Sequence, residues 1–243
     1  MADVVQPMDF DALYGAGQPA LVPWDIGGPQ PVVQQLVAHG ALRGEVLDPG
    51  TGQGYHAIYY ASQGYSTTGI DASPEAIGQA KRNAERAGVQ VNFQVADATV
   101  LDGLEGRFDT VVDSAFYHVF LDDEPTQTRY AQALHRATRP GARLFMFEFG
   151  RHNVNGLQFE GLPADNFQRV LTAAGWRLDH LGTSTYVARF APETLANMAA
   201  MGSDSDWAER MKPLQERLAV IGPLLDDYRV HVPTWAVAAT RVD

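Results

Sequence analysis

A short apolar strand that leads directly into a glycine-rich turn is the feature of this sequence that most restricts the fold. Residues 45–54 carry glycines at positions 50, 52 and 54, and a helical pattern follows from Tyr55 to Gln63. Glycine adopts backbone angles that other residues avoid, and it lets a ligand come close to the main chain. The order of strand, glycine turn and helix therefore predicts a ligand site where the first strand ends.

Strands and helices alternate along the rest of the chain. The predicted strands are Val46–Asp48, Tyr65–Ile70, Val91–Val95, Phe108–Val112, Arg143–Phe149, one long or two short strands within Trp176–Phe190, and Val230–Val242. The predicted helices are Pro31–His39, Tyr55–Gln63, Pro74–Ala87, Glu124–Thr138, Pro163–Ala174 and, with breaks, Pro192–Leu225. This alternation predicts an α/β fold with a doubly wound, mostly parallel sheet, helices on both faces and a helical insertion before the last strand.

Composition excludes several classes of function. The chain has 18 Lys and Arg residues against 29 Asp and Glu residues, a net charge of −11, and no cysteine. The negative charge argues against nucleic acid as a partner, because a protein that follows phosphate backbones needs a basic surface. Without cysteine there is no disulfide framework, thiolate nucleophile, zinc finger or iron–sulfur site. No basic leader or long apolar run is present, which predicts a cytoplasmic protein with no membrane partner.

The glycine turn is followed along the chain by two acidic residues, each at the end of one of the next two predicted strands. Its spacing is G-x-G-x-G, whereas a dinucleotide fingerprint needs a glycine where Tyr55 stands. No Lys or Arg lies near the turn, which indicates a ligand without phosphates. Asp71 ends the second strand, where a carboxylate can accept hydrogen bonds from both hydroxyls of a ribose. Asp97 follows the third strand and is placed to accept a hydrogen bond from an adenine amino group.

These segments together resemble class I S-adenosylmethionine-dependent methyltransferases. Val46–Asp71 is similar to motif I of that family, and Asp97–Ala98 and Phe108–Asp113 are similar to its later motifs. Arg139–Leu144 resembles the R-P-G-G-x-L turn before the fifth strand, with Ala142 in place of the second glycine. The resemblance covers roughly residues 44–190. It implies a Rossmann-like sheet of seven strands and S-adenosylmethionine as the cofactor.

The pattern of predicted elements, together with the resemblance, implies a division of the chain and a set of cofactor contacts. We expect a single domain over 1–243, made of an N-terminal arm over the site (1–43), a cofactor-binding core (44–190), a helical insertion (191–227) and the last strand (228–243). The residues expected to bind the cofactor are Trp24, Asp48, Gly50, Gly52, Gly54, Asp71, Ala72, Asp97, Ala98 and Asp113.

A second resemblance lies in the arm. Pro23–Pro31 is similar to the P-W-D-x-G-x-x-x-P segment of thiol, thiopurine and halide methyltransferases and of small bacterial methyltransferases that act on heterocycles. In those enzymes the arm folds over the cofactor and helps to wall the substrate pocket. By this resemblance Trp24 packs near the methionine end of the cofactor, although a role in anchoring the arm to the core is compatible with that.

The residues after the fourth strand restrict the class of substrate. Asp113–Phe120 lacks the (Asp/Asn)-Pro-Pro-(Tyr/Phe) motif of enzymes that methylate amino groups of DNA bases, and a C5-cytosine enzyme would need a cysteine. No convincing set of clustered oxygen ligands for a catalytic metal is present. The residues expected to contact the substrate are mostly aromatic: Phe10, Tyr14, Phe116, Phe120 and His152. Such a pocket favours a flat, apolar small molecule.

The predicted reaction is transfer of the methyl group to an oxygen or nitrogen of a small aromatic heterocycle, such as a hydroxyquinolone or a hydroxylated quinone. His118 is the first candidate for the base that removes the proton of the acceptor, because histidine titrates near neutrality. Tyr117 and His152 are the alternates, and a structural, hydrogen-bonded role for His118 stays open. The competing hypotheses are a thiol or halide methyltransferase, a nicotinamide-dependent oxidoreductase and a non-catalytic sensor of the cofactor.

The stretch Pro192–Leu225 is less informative. It mixes methionine and leucine with charged residues, a pattern that more often reflects core packing or a homodimer contact than a lid over the substrate.

Overall fold

The computed structural model describes residues 22–121, 123–201 and 205–243. Within them, seven strands form one sheet: β1 Glu45–Pro49, β2 Ser66–Asp71, β3 Asn92–Val95, β4 Phe108–Ser114, β5 Thr138–Phe149, β6 Trp176–Arg189 and β7 Arg229–Arg241. The helices are α1 Pro31–Ala38, α2 Tyr55–Ser62, α3 Pro74–Ala87, α4 Glu124–Ala137, α5 Ala164–Ala173, α6 Pro192–Met201 and α7 Ser205–Ile221. Short 3₁₀ helices cover Tyr117–Phe120, Gly222–Leu224 and Asp226–Tyr228.

The sheet has the strand order β3-β2-β1-β4-β5-β7-β6. Strands β1 to β5 pair in parallel, whereas β7 lies between β5 and β6 and is antiparallel to both. The predicted Rossmann-like, mostly parallel seven-stranded fold is therefore confirmed. The chain moves outward from β1 to β3 and then crosses back to β4 on the other side of β1. Such a reversal opens a crevice at the carboxyl ends of the strands, where ligands bind in open α/β sheets.

Helix α3 shows how local sequence sets these boundaries. The Ser73 hydroxyl accepts a hydrogen bond from the amide of Ala76 at 3.1 Å, and Pro74 occupies the first turn, where its missing N–H costs nothing. The helix ends at Gly88, which has a φ of 68°. Both ends agree with the sequence prediction, because caps depend on residues only a few positions apart.

Two elements differ from the sequence prediction in detail. Strand β5 begins at Thr138 rather than Arg143, because Thr138 pairs with Phe108 before the register shifts. Trp176–Arg189 forms one long strand, because it pairs with β7 along nearly its whole length.

The helical insertion before β7 packs partly on the sheet. Leu214 and Leu218 of α7 are buried in an apolar cluster with Tyr186 and Val230 of β6 and β7. The side chains of residues 199–211, which include Trp207 and Met211, lie outside the part of the chain that the structure describes. The homodimer contact stays a prediction. No helix of the described chain has the length and apolar character needed to cross a bilayer.

Candidate functional site

A cavity of about 350 Å³ opens at the carboxyl ends of the parallel strands. The predicted residues that line it are Trp24, Gly50, Gly52, Asp71, Ala72, Asp97, Ala98, Phe116, His118 and Phe120. The predicted residues that lie outside its lining are Asp48, Gly54, Asp113, Tyr117 and His152. Phe10 and Tyr14 lie outside the described residues.

The glycine turn forms the floor of the cavity. Gly50 has a φ of 64°, and a Cβ atom placed on it would lie 2.1 Å from Cδ2 of Phe116. Glycine is therefore required at position 50 both for the backbone angle and for the approach of the aromatic ring. Behind the turn, a Cβ atom on Gly54 would lie 2.7 Å from the ring of Phe93 and 2.9 Å from Cβ of Ala80. Gly54 thus lets the start of α2 pack closely on its neighbours rather than contacting the cavity.

Asp71 ties the turn to the end of β2. One carboxylate oxygen accepts the amide of Gly52 and the other accepts the amide of Ser73, each at 2.9 Å. The carboxylate is held at the cavity wall, within reach of a hydroxylated ligand lying over the turn.

Asp48 acts from beneath the turn. Its carboxyl is buried and accepts a hydrogen bond from the hydroxyl of Thr51 at 2.5 Å. Burial raises the pKa of Asp48 to about 7, while the bond from Thr51 works against that rise. Asp48 therefore supports the backbone that faces the ligand.

The charges around the cavity are all of one sign. The carboxylates of Asp25, Asp71 and Asp97 line it, and no lysine or arginine is among the described lining residues. Asp97 is exposed, and one of its oxygens accepts both the amide and the hydroxyl of Thr99 at 2.8 and 2.7 Å. This electrostatic environment suits a ligand that carries a positive charge and no phosphate.

The described part of the arm docks on the edge strand β6 and closes one side of the cavity. The amide side chain of Gln30 donates to the carbonyl of Val187 and accepts its N–H, both at 2.9 Å. The backbone amide of Gln30 also donates to Nε2 of His56, whose pKa burial lowers to about 4. These bonds hold the segment that carries Trp24, whose side chain lines the cavity.

A further part of the cavity lining is formed by the residues that follow the end of β4. Ala115 has a φ of 59°, an uncommon angle for a residue with a side chain, and its amide donates to the carbonyl of Phe147 on β5. The bend turns the amides of residues 116–118 toward the carboxylate of Glu148, which is fully buried. The same carboxylate lies 3.0 Å from Nδ1 of His118, whose side chain is 31% exposed and lines the cavity.

A second buried carboxyl group, Asp113, lies beside Glu148. The hydroxyl of Tyr130 donates to it at 2.7 Å, and the amide of Phe116 donates at 3.0 Å. Burial and the charge of Glu148 hold the pKa of Asp113 well above its usual range. Burial raises the pKa of Glu148 to about 7, and lowers that of His118 to about 4, so that His118 is neutral at pH 7.

Two of the predicted catalytic or substrate-contacting side chains point elsewhere. Tyr117 is fully buried, and its hydroxyl binds Gln127 at 3.2 Å and Asn166 at 3.0 Å between α4 and α5. His152 packs against the ring of Trp235 with 5.2 Å between centroids, on the side of β6 and β7. The structure therefore leaves His118 as the only one of the three predicted candidate bases that lines the cavity among the described residues.

Sequence reasoning missed several residues of the site. Asp25, His56, Ser114, Phe149 and Tyr186 line the cavity, and Glu148 supports its wall. Glu148 carried a detectable signal, because it interrupts the otherwise apolar run Leu144–Phe149. Tyr186 comes from a distant strand, and its hydroxyl lies 3.0 Å from that of Ser114. No pattern in the sequence indicated that it belongs to the site.

Both the sequence and the fold of this chain are similar to those of known proteins. Residues 46–141 match a family model described as a methyltransferase domain. The 2-heptyl-1-hydroxyquinolin-4(1H)-one methyltransferase of Mycobacteroides abscessus is 38% identical over 158 residues, which cover 62% of this chain and 67% of that protein.

The chain belongs to the S-adenosylmethionine-dependent methyltransferases.

Two further relatives of this methyltransferase are informative. A probable thiol methyltransferase of Arabidopsis thaliana is 29% identical, over 63% of this chain and 68% of that protein. A solved structure described by the words "Conversion of a Disulfide Bond into a Thioacetal Group during Echinomycin Biosynthesis" is 30% identical, covers 96% of this chain and 91% of that chain, and superposes with a TM-score of 0.73.

S-adenosylmethionine is the cofactor of this methyltransferase, as the sequence predicted. The donor set of the cavity fits it, because the cofactor carries a positive sulfonium, two ribose hydroxyls and an adenine but no phosphate. Carboxylates at Asp71 and Asp97 and a glycine turn without basic neighbours meet those requirements. No group of three or more His, Asp or Glu side chains in the described part of the chain is arranged to hold a metal ion.

Proposed function

We propose that this methyltransferase transfers the methyl group of S-adenosylmethionine to an oxygen or nitrogen atom of a small aromatic heterocycle of the hydroxyquinolone or hydroxyquinone type. The observation that carries the proposal is the wall formed by Phe116, Phe120 and Phe149, with the imidazole of His118 set among these rings. Rings favour a flat acceptor, and the neutral imidazole of His118 supplies the proton acceptor that a hydroxyl or ring N–H requires. The name of the hydroxyquinolone methyltransferase relative supports this substrate class.

The cofactor contacts are proposals of the same kind. Asp71 is assigned to the ribose hydroxyls, Asp97 and Ala98 to the adenine, and Trp24 to the methionine end. Gly50 and Gly52 present main chain to the cofactor, whereas Asp48 and Asp113 act from behind the lining. These assignments follow the order of the strand ends along the crevice.

The proposed chemistry needs two things from the protein, alignment of the acceptor with the methyl group and removal of the acceptor's proton. The bound cofactor supplies an activated methyl group on a sulfonium. In the transfer, the acceptor atom would use an electron pair for the new bond to carbon as the carbon–sulfur bond breaks with its pair left on sulfur, and His118 would take the proton of the acceptor. The aromatic wall excludes water and holds the acceptor in line, which is where most of the rate enhancement of such transfers arises.

A sulfur acceptor is the second candidate. It is favoured by the thiol methyltransferase relative and by the solved structure whose description involves a disulfide and a thioacetal. A thiolate or a halide needs no base at the moment of transfer, so that this function leaves His118 with a structural role.

A panel of hydroxyquinolones, hydroxylated quinones, phenols, thiols and iodide, incubated with S-adenosylmethionine and analysed by mass spectrometry, separates these functions. We expect methylated products mainly from the heterocycles. Turnover confined to thiols or iodide would refute the proposal in favour of the second candidate.

Two substitutions test the residue assignments. His118→Ala should lower kcat with a hydroxylated heterocycle by about 10²–10⁴-fold, the usual loss for a general base, and a loss under about tenfold would exclude that role.

Asp71→Ala should weaken S-adenosylmethionine binding in calorimetry by about ten- to a hundredfold, as expected when hydrogen bonds to a charged group are lost. Unchanged affinity would refute the ribose assignment. Asp102→Asn, at an exposed site away from the cavity, is the control.

A further inference from the structure

Glu148 is a buried acid in an apolar strand, and the assigned cofactor contacts do not account for it. The side chain is fully buried between Phe147 and Phe149 near the end of β5. Burying an unpaired carboxylate is very costly, so a buried acid persists only where its oxygens have hydrogen-bond partners.

Four of its contacts come from one short segment of the chain, residues 116–118. Oε1 accepts the amides of Phe116 and Tyr117, each at 2.7 Å, and Oε2 accepts the amide of His118 at 3.2 Å. The fourth contact is the 3.0 Å pair of Oε2 with Nδ1 of His118. Three amides directed at one carboxylate favour its ionised form, because an ionised carboxylate is purely an acceptor, and they oppose the rise in pKa that burial causes.

This arrangement fixes the tautomer of the histidine. An acceptor facing Nδ1 requires that nitrogen to carry the proton, which leaves the lone pair on Nε2. Nε2 lies on the opposite edge of the ring, and no other group in the described part of the chain is hydrogen-bonded to it. The ring also packs edge-on against Phe149 with 4.8 Å between centroids, which restricts its rotation.

The neighbouring carboxyl group explains how the charge is kept on Glu148. Asp113 lies close enough to share a hydrogen bond with Glu148, and burial together with the charge of Glu148 favours the protonated form of Asp113. Two buried carboxyl groups in contact carry one negative charge between them. The charge beside His118 works against the burial that lowers the pKa of the ring, and so favours the imidazolium that forms when the ring takes a proton.

We propose that Glu148 is a positioning residue for methyl transfer: it holds His118 with Nδ1 protonated and Nε2 available to take the proton of the acceptor. The inference rests on the proposed function, because only an acceptor that loses a proton needs such a base. A purely structural Glu148 would satisfy the three amides and have no influence on how the rate depends on the acceptor.

The test compares Glu148→Gln with wild type on two acceptors that share one ring system, one with a neutral hydroxyl and one already ionised at the assay pH. Glutamine has nearly the same shape, but its NH₂ group can donate to Nδ1 and so moves the ring proton to Nε2. We expect kcat to fall by about 10²-fold or more with the neutral acceptor, as for loss of a general base. With the ionised acceptor kcat should change by less than about threefold, as for a neutral surface substitution.

Further readouts separate positioning from damage to the fold. The KM for S-adenosylmethionine should stay within about threefold of wild type, and the double variant with His118→Ala should be no slower than His118→Ala alone, because residues that act as a unit are not additive. Glu85→Gln, an exposed glutamate on α3, is the matched control and should behave as wild type. Nitrogen-15 NMR of the wild-type protein labelled in histidine tests the tautomer without any substitution, and a proton on Nε2 of His118 would overturn the inference.

The outcomes also separate this inference from the proposed function. Equal losses with both acceptors, or none with either, overturn the role of Glu148 while leaving the activity of the wild type intact. Wild-type protein that methylates no acceptor with an ionisable hydroxyl or N–H overturns the proposed function, and this inference with it.

Discussion

Replacement of Gly50 by alanine probes the floor of the cavity directly. Gly50 has a φ of 64°, and the added methyl group would lie 2.1 Å from Cδ2 of Phe116, far inside van der Waals contact. The ring would have to move by more than an ångström. It is held by edge contacts with Phe120 at 5.5 Å and Tyr130 at 5.6 Å, so the displacement disturbs the cavity wall.

Gly40 provides a matched control that separates the two costs. It has nearly the same φ, 67°, but nothing lies within 4 Å of an added Cβ atom. Gly40→Ala should therefore lower the free energy of unfolding by only about 1–2 kcal/mol, which is the cost of a left-handed backbone angle for a residue with a side chain. Gly50→Ala should lower the free energy of unfolding by that amount and by about 1–3 kcal/mol more, because the added methyl group overpacks against Phe116.

Urea unfolding measures the stability terms, and calorimetry with S-adenosylhomocysteine measures the effect on the site. We expect Gly50→Ala to bind S-adenosylhomocysteine at least about tenfold more weakly than wild type, a loss of about 1.4 kcal/mol in binding free energy. Gly40→Ala should bind it as tightly as wild type. A Gly50→Ala protein that is as stable as Gly40→Ala and keeps its affinity would refute the close approach of Phe116.

Two further predictions concern buried polar groups. Burial raises the folded-state pKa of Asp48 from 3.8 to about 7, so its contribution to stability is fully present below about pH 4 and is lost as the pH rises through 7. Asp48→Asn should therefore gain stability over wild type between pH 4 and 8, by up to roughly 4 kcal/mol in the linkage relation, and parallel pH profiles of urea unfolding would contradict this. Gln30→Ala removes both bonds to Val187 and leaves buried backbone groups unpaired, so it should cost about 2–4 kcal/mol and weaken cofactor binding. Gln34→Ala, whose single bond to Pro29 is exposed, should cost under about 1 kcal/mol, and equal losses for the two variants would remove the role of the docked arm.

Much of the site was accessible to sequence reasoning because it depends on neighbours in the chain. The glycine turn, Asp71 and Asp97 each follow a strand whose apolar pattern is visible, and the carboxyl ends of parallel strands meet at one edge of a sheet. The order of the segments therefore predicted that these residues share a cavity, and the structure places them in its lining.

Side-chain direction after β4 was not accessible in the same way. Tyr117 and His118 are adjacent, yet the first turns into the core toward Asn166 and the second lines the cavity. The bend at Ala115 decides between them, and that bend depends on a contact with Phe147 of the next strand. Sequence reasoning ranked His118 above Tyr117 because histidine titrates near neutrality, but it had no means to tell which of the two side chains faces the cavity.

The sequence by itself determined the alternation of strands and helices, the helix caps, the glycine turn and the sulfonium-compatible charge of the site, since each follows from local backbone preferences or from composition. Only the tertiary structure decided that Glu148 meets His118, 30 positions away. The parallel register of β4 and β5 pairs Ser114 with Phe147, and this brings Glu148 level with the point where the chain leaves β4. Such a meeting depends on the packing of whole strands, because no local preference of either residue specifies it.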